Sequence, residues 1–570
     1  MRARRWVAAA AAAALALALS ACAGLPTSGP VYPGQEADSS SAPADTIFLP
    51  ERPQPGATPD EIVDGFLLAG SGPTDGWSRA REYLAPDFAA EWRPDVGVTV
   101  VLPGDRVYDT AGAAVGEADD EIVGESTVSV SVVAIAGVDE RGTYSPVDAG
   151  TTTLAFSLEV QEDGEWRITQ APDGIVLDRD VFPSVYRQYS VFYFDPDWEY
   201  LVPDVRWFPA TNAPTRIADA LVNKPMADWL AEAVVTSFPE GVTARAAVPV
   251  DSGVAQVELD DTALAVDPAT LDRMLTQLQA SLATAGVSRV EMSVAQAPLQ
   301  AERVETRSTR VSGPPLVLTA DGFGLLAADE LTPLEGLSDV VPGLEPTAVE
   351  VTAERAVAAV KAGDGSVHRV GDTGTDEVVD RRSRLVDPTV DPAGAVWSVP
   401  RTEPGALVAV TRDGTRIEIA NALTGAAGVS AIAVSRDGTR LAAAVLVGSR
   451  VELWSAGVVR DADAVPRSLG DPIVLGVLDG PVSDIAWLDD VTVGAVTAGE
   501  DTAVVSDQIV GGPTSSVAAP AEVVALAGGP TPATVRLRTE DDTLLVRRGA
   551  NWQESATGVL VLATQQGTPG

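Results

Sequence analysis

Catalysis needs nucleophiles, bases or metal ligands, and this chain of 570 residues supplies few beyond carboxylates. It holds one histidine, His368, and one cysteine, Cys22. A single imidazole and a single thiol exclude His/Cys zinc sites, and with Cys22 read as a lipidation site no second cysteine is left for a papain-type enzyme. A Ser-His-Asp hydrolase would have to use His368, in Gly365-Ser366-Val367-His368-Arg369. That stretch reads as a hairpin strand, no Gly-x-Ser-x-Gly elbow accompanies it, and His368 is expected at the strand surface. The 81 Asp and Glu residues leave carboxylate chemistry open, but abundance is not a site. No catalytic, cofactor-binding or metal-ligating residue is assigned.

The thiol has a different chemistry. Cys22 ends Leu19-Ser20-Ala21-Cys22, behind Arg2, Arg4 and Arg5 and an unbroken apolar run from Trp6 to Leu19. Charged segment, apolar segment and small residues make a secretory signal. A cysteine directly after the cut is the bacterial lipobox, so residues 1–21 are expected to be removed. Cys22 would then carry S-diacylglycerol and an N-acyl chain such as palmitate. The run is short for a membrane span, which needs ~20 apolar residues. The chain is expected at the extracytoplasmic face of the cell membrane, held by lipid.

With Cys22 acylated no disulfide can form, and the body must be stable through its cores alone. The formal net charge is −42, and removing the three signal arginines makes the mature chain about −45. Such a field repels nucleic acid and anionic lipid head groups and tolerates basic partners. Lysine occurs only at Lys224 and Lys361, a bias of arginine-rich, high-GC coding.

Residues 22–57 are rich in proline and read as an extended tether. Thr58-Pro59-Asp60-Glu61 is a capping box with proline at N1, and Ile62, Val63, Phe66 and Leu67 follow on one helical face. A second helix is expected over about 77–88, with Ala80, Tyr83, Leu84 and Phe88 as its stripe. From Val98 the period becomes two: strands are expected near 98–102, 127–136, 151–160 and 166–169. The acidic run Glu117–Glu121 reads as solvated loop. Residues 58–185 thus form an α+β domain. Its ending, Asp163-Gly164-Glu165-Trp166-Arg167-Ile168, resembles the last strand of NTF2-like domains, with Trp166 as a core aromatic.

A second α+β domain is expected over 190–310. Strands at 191–194 and from 201 precede helices at 214–222 and 226–238, and strand-like 244–250 and 254–259 follow. A helix opened by Asp267-Pro268 then carries Leu271, Leu275, Leu278 and Leu282 on one face, before a closing strand with Val290, Met292 and Val294. The order β-β-α-β-β-α-β fits one sheet with helices on one side. With "YFDPDWEYLVPDVRWFP" and "LVNKPMADWLAEAVVTSFPEGV" it resembles the GerMN domain, an extracytoplasmic interaction or ligand-binding module.

Residues 313–570 are all-β in texture. Ala409-Val410-Thr411-Arg412-Asp413-Gly414-Thr415-Arg416-Ile417 resembles Ala433-Val434-Ser435-Arg436-Asp437-Gly438-Thr439-Arg440-Leu441, with weaker echoes ending in Trp397 and around Trp487. Strand, Asp-Gly turn and strand recur as in a propeller, and the strand pairs resemble TolB-type propellers. Five to seven blades would fit; the two best copies suit successive hairpins as well as successive blades.

Lipobox, tether, "EIVDGFLLAGSG", "WSRAREYLAP", "APDGIVL", the GerMN-like domain and the propeller together resemble the actinobacterial LpqB lipoprotein family. The resemblance implies a non-enzymatic accessory of a two-component system of the MtrA–MtrB type. It would contact the extracellular domain of the sensor histidine kinase and affect wall homeostasis and division. A cell-wall component is a further expected partner. Beyond Cys22 the resemblance transfers no functional residue. The alternative reading from the residues is a carboxylate-dependent wall glycosidase, although Asp-Gly pairs are explained as turns. A solute-binding lipoprotein fits less well, because no two-lobed α/β pattern is present.

Overall fold

The computed structural model describes residues 50–570 apart from Asp105, Asp119, Asp120, Asp329, Glu500, Asp501 and Gly570. The capping box opens helix α1 (Pro59–Ala69), where the Thr58 N–H donates to Glu61 Oε2 at 2.8 Å. Ile62, Val63, Phe66 and Leu67 are all buried, as their spacing requires. The expected second helix is instead two short pieces, α2 (Ser78–Arg81) and α3 (Pro86–Glu91). Pro86 cannot continue a helix from behind because it lacks the N–H, so it starts a new one. Ala80, Tyr83 and Leu84 are buried all the same.

Strands β1 (Gly97–Val101), β2 (Val107–Ala118), β3 (Glu121–Asp139), β4 (Tyr144–Val160), β5 (Trp166–Gln170) and β6 (Ile175–Asp178) form one sheet. Its order is β5-β4-β3-β1-β6, with β2 paired to the first half of β3. Of the acidic run, Glu117, Ala118 and Glu121 are strand residues and not loop: Glu117 pairs with Ile122 and Ala118 with Glu121, while Asp119 and Asp120 lie outside the described residues. The run's Ala/Gly-rich approach carries too little β-branched character to announce a strand. Trp166 is a buried core residue, and Phe66 of α1 meets Trp92 and Phe156 with ring centroids 5.1 and 6.1 Å apart.

The next region does not form one sheet. Strands β7 (Tyr186–Phe194) and β8 (Leu201–Pro209) make a separate hairpin. The other sheet has order β12-β11-β10-β9, from β9 (Val250–Asp251), β10 (Val254–Leu259), β11 (Arg289–Val294) and β12 (Ala297–Pro298). Helix α4 (Ala213–Val222) follows the hairpin, and helix α5 (Pro268–Ala283) packs on both β7 and β11. Ser281 on α5 accepts from the Phe192 N–H at 2.9 Å, so a helix stands where a continuous sheet was expected.

Residues 226–238 are turns, not a helix. Val235 exchanges backbone bonds with Phe194 at 2.8 and 2.9 Å, and Ser237 donates its N–H to Gln277 Oε1 at 2.9 Å. These tertiary partners take the groups a helix would use internally. The expected strand 244–250 shrinks to an isolated bridge at Ala244 and the short β9. In the leucine stripe, Leu271, Leu278 and Leu282 are buried, Leu275 only half so, and Met274 fills the core in its place.

The remainder is a ring of six blades, five of them four-stranded and the fourth five-stranded, with Ile473–Leu478 also paired to its third strand. The first joins 316–333 to the last strand, Val561–Gln565, which pairs antiparallel with 316–318 and parallel with Glu350–Val351, closing the circle. The others begin at Ala348, Thr389, Gly428, Val482 and Val523. An apolar cluster fills each interface between neighbouring blades. The two similar segments are successive hairpins in adjacent blades: 409–417 joins the last two strands of the third blade, and 433–441 the first two of the fourth.

Candidate functional site

Cys22, the one site residue the sequence singles out, lies outside the described residues, as do the signal segment and most of the tether. Among the described residues three arrangements could do chemistry or bind: a chain around His368, the axis of the propeller, and the seam between the propeller and its neighbours.

His368 is not at the surface. It is 7% exposed on the third strand of the second blade, in a sheet whose inner faces are covered by adjoining blades. Its Nδ1 lies 2.7 Å from Asp376 Oδ1 and its Nε2 lies 2.9 Å from Ser366 Oγ, the connectivity of a Ser-His-Asp triad. Sequence reasoning missed this because Asp376 arrives from the next strand. The chain continues, however, to Asp364, whose Oδ1 accepts both the Ser366 hydroxyl at 2.5 Å and its N–H at 2.9 Å. That bond takes the proton the imidazole would remove. The arrangement suits a tight hairpin held by side chains, not acyl transfer.

At the axis, a cavity of about 90 Å³ is lined by Glu350, Asp387, Asp484, Arg436, Arg538 and Gln566 among others. Glu350 accepts from the Val390 N–H at 2.9 Å and from Gln566 Nε2 at 2.7 Å. Burial pushes its carboxyl up to about 7. Burial, with the charge of Asp387 nearby, also raises Asp484 well above the ordinary range. Perturbed carboxyls in a cavity are the signature of an acid/base pair. Yet the space is far below the ~300 Å³ at which ligand pockets begin, and the carboxylates bond backbone N–H groups of the next blade: Glu350 reaches Val390, and Asp484 reaches Leu526 at 2.8 Å. Among the described residues no three His, Cys, Asp or Glu side chains converge to hold a metal ion.

The seam is built from buried charge. In the turn 435–440, Asp437 and Arg440 form an ion pair with both side chains 1% exposed. Arg440 lies over the Trp487 ring at 4.7 Å and reaches the Pro203 carbonyl at 3.5 Å. Arg436 donates to the carbonyls of Trp487 at 2.8 Å and Thr309 at 3.4 Å. Trp207 of β8 packs into the first core and donates Nε1–H to the Gly511 carbonyl at 2.9 Å. Arg206 pairs with Asp204 at 2.5 Å and donates to Thr143 Oγ1 at 2.7 Å. The β7–β8 hairpin is thus shared by all three regions.

Three family models match in succession: "Lipoprotein LpqB, N-terminal domain" over residues 52–183, "Sporulation and spore germination" over 190–300, and "Lipoprotein LpqB beta-propeller domain" over 321–561. The chain belongs to the LpqB lipoprotein family. It is similar to Lipoprotein LpqB of Thermobifida fusca (34% identity over 290 residues, 49% of this chain and 44% of that one). It is also similar to LpqB of Cutibacterium acnes (29%, 48% of this chain and 44% of that one) and of Streptomyces avermitilis (27%, 67% of each). The matched stretches span less than half the length of the first two relatives. Among solved structures, TolB from Acinetobacter baumannii is 14% identical with a TM-score of 0.32, over 43% of this chain and 64% of that one. The nidogen/laminin complex is 12% identical with a TM-score of 0.32, over 44% of this chain and 95% of that one. No helix among the described residues is long and apolar enough to cross a membrane.

Proposed function

We propose that this LpqB-family chain is a lipid-anchored extracytoplasmic accessory that acts by binding and not by turnover. Its partner would be the extracellular domain of a sensor histidine kinase of the MtrA–MtrB type. The observation that carries the reading is the seam, where Asp437–Arg440, Arg436 and the β7–β8 hairpin tie propeller, middle and N-terminal regions into one surface. Buried charge pairs of this kind fix a geometry more than they add stability, and a fixed composite surface suits docking. The helix-against-sheet first region reads as NTF2-like and the middle one as GerMN-like, both module types that bind. The triad-like chain at His368 has its serine proton taken, and the axial carboxylates face a cavity too small for a sugar.

Cys22→Ala should release the protein from the membrane fraction, since its thiol is the one acylation site. The mature chain should capture the kinase ectodomain in a pull-down. The on-rate should fall as salt rises while the off-rate holds, as expected of an acidic body meeting basic patches. Failure of the ectodomain to bind at low salt, or wall-glycan cleavage abolished by Ser366→Ala or Glu350→Gln, would overturn the reading. Deleting 313–570 is a poor test, because it would strip cover from Trp207 and Val205.

A further inference from the structure

A cleft of about 340 Å³ lies where the β7–β8 turn stands over the first turns of the second, third and fourth blades. It falls within the size range of small-molecule sites, which favour domain junctions. Most charges on its walls are already neutralised. Glu199 pairs with Arg307 at 3.3 Å, Arg460 with Asp391 at 2.8 Å, and Asp437 with Arg440. Asp195 accepts the backbone N–H groups of Tyr200 at 2.6 Å and Asp197 at 3.3 Å.

Among the described residues three charges on these walls make no direct ion pair or side-chain hydrogen bond: the Arg412 guanidinium from the third blade, the Glu354 carboxylate from the second, which feels Arg307 only at longer range, and the Asp197 carboxylate from the β7–β8 turn. An anion alone would meet two carboxylates that no direct contact neutralises, a cation alone would meet Arg412, and a neutral sugar would leave all three without a contact. A molecule bearing both charges answers them together, by the planar fork of arginine on a carboxylate and acceptor oxygens around an ammonium. We propose that this cleft binds a zwitterionic small molecule, an amino acid or short peptide, with its carboxylate on Arg412 and its ammonium between Asp197 and Glu354. The site draws on two regions of the chain and does not depend on whether a kinase is bound.

The test is calorimetric titration of the full mature chain in detergent with alanyl-alanine, in L,L and D,D forms, and with its N-acetyl and C-terminal amide analogues. At least one dipeptide should saturate in the millimolar range or below, and each analogue should bind ~10-fold more weakly, the worth of one charge-assisted contact. Arg412→Gln should weaken the parent dipeptide ~10-fold and leave the amide unchanged; Glu354→Gln should weaken the parent and leave the N-acetyl form unchanged. Both side chains are exposed, so an unaltered thermal transition should accompany each variant. No saturable binding of either dipeptide, equal binding of parent and analogues, or equal weakening of every probe by Arg412→Gln would each overturn the proposal.

Discussion

Two turns with almost the same sequence, Thr411-Arg412-Asp413-Gly414-Thr415-Arg416 and Ser435-Arg436-Asp437-Gly438-Thr439-Arg440, meet opposite fates. Both use glycine at positive φ, +86° at Gly414 and +75° at Gly438, and both fold the aspartate back onto the chain. Asp413 accepts from Thr411 Oγ1 and the Thr415 N–H in open solvent, and those bonds hold its carboxyl below the ordinary range. Asp437 makes the equivalent bonds in the interior. There burial pulls its carboxyl upward, and Arg440, Ser435 and Thr439 outweigh that pull. One copy ends a blade at the surface. The other faces Trp487, Pro203 and Thr309 across the seam. Local sequence writes the turn, and its neighbours decide whether the charges in it are solvated or must be paired.

The largest effect should come from breaking the buried copy. Asp437→Ala leaves Arg440 unpaired and should cost ~3–5 kcal/mol in unfolding free energy, whereas Asp413→Ala should leave the thermal transition where it is. Equal shifts for the two would mean that the turn and not its surroundings sets the energy. The same contrast can be drawn within one helix. Leu278→Ala, at a fully buried position of α5, should cost ~2–5 kcal/mol, and half-buried Leu275→Ala clearly less, read by denaturant unfolding.

Titration sharpens the comparison further. The Glu350 carboxyl is raised from its ordinary 4.5 to about 7, so its contribution is complete below that ordinary value and is lost as pH rises through 7. Asp437, held low, behaves oppositely: its contribution is present above the ordinary range and lost in acid. Glu350→Gln should remove a decline of up to about 3 kcal/mol between pH 4.5 and 7. A variant with the full decline intact would place the titration elsewhere.

What was legible in the chain follows the range of the interactions involved. The α1 capping box, the buried face of α5, the alternation in β11 and the Asp-Gly turns depend on residues a few positions apart. Errors arose where distant partners intervened. Residues 226–238 carry a helical apolar pattern, but Val235 and Ser237 bond Phe194 and Gln277 instead. His368 looked like a surface residue because Asp376 and the cover of adjoining blades are invisible in Gly-Ser-Val-His-Arg. The strand before the acidic run 117–121 was hidden by its own alanines and glycines. No signal in the sequence marks Arg412, Glu354 and Asp197 as neighbours; they come from two blades and a hairpin turn of another region.

The sequence by itself determined the switch from helical to two-residue period, the turns that divide blades, the lack of a second imidazole or thiol, and the lipobox pattern at Cys22. Each of these is a matter of residue type and short spacing, which the chain carries whether folded or not. Only the tertiary structure decided that the ring has six blades closed by its last strand and that the β7–β8 hairpin joins two cores and bonds to the propeller. It also decided which of two matching Arg-Asp-Gly-Thr-Arg turns is buried. Those outcomes depend on what packs across a seam, and the cost of desolvating a charge is set by the neighbours that surround it, not by the residues beside it in the chain.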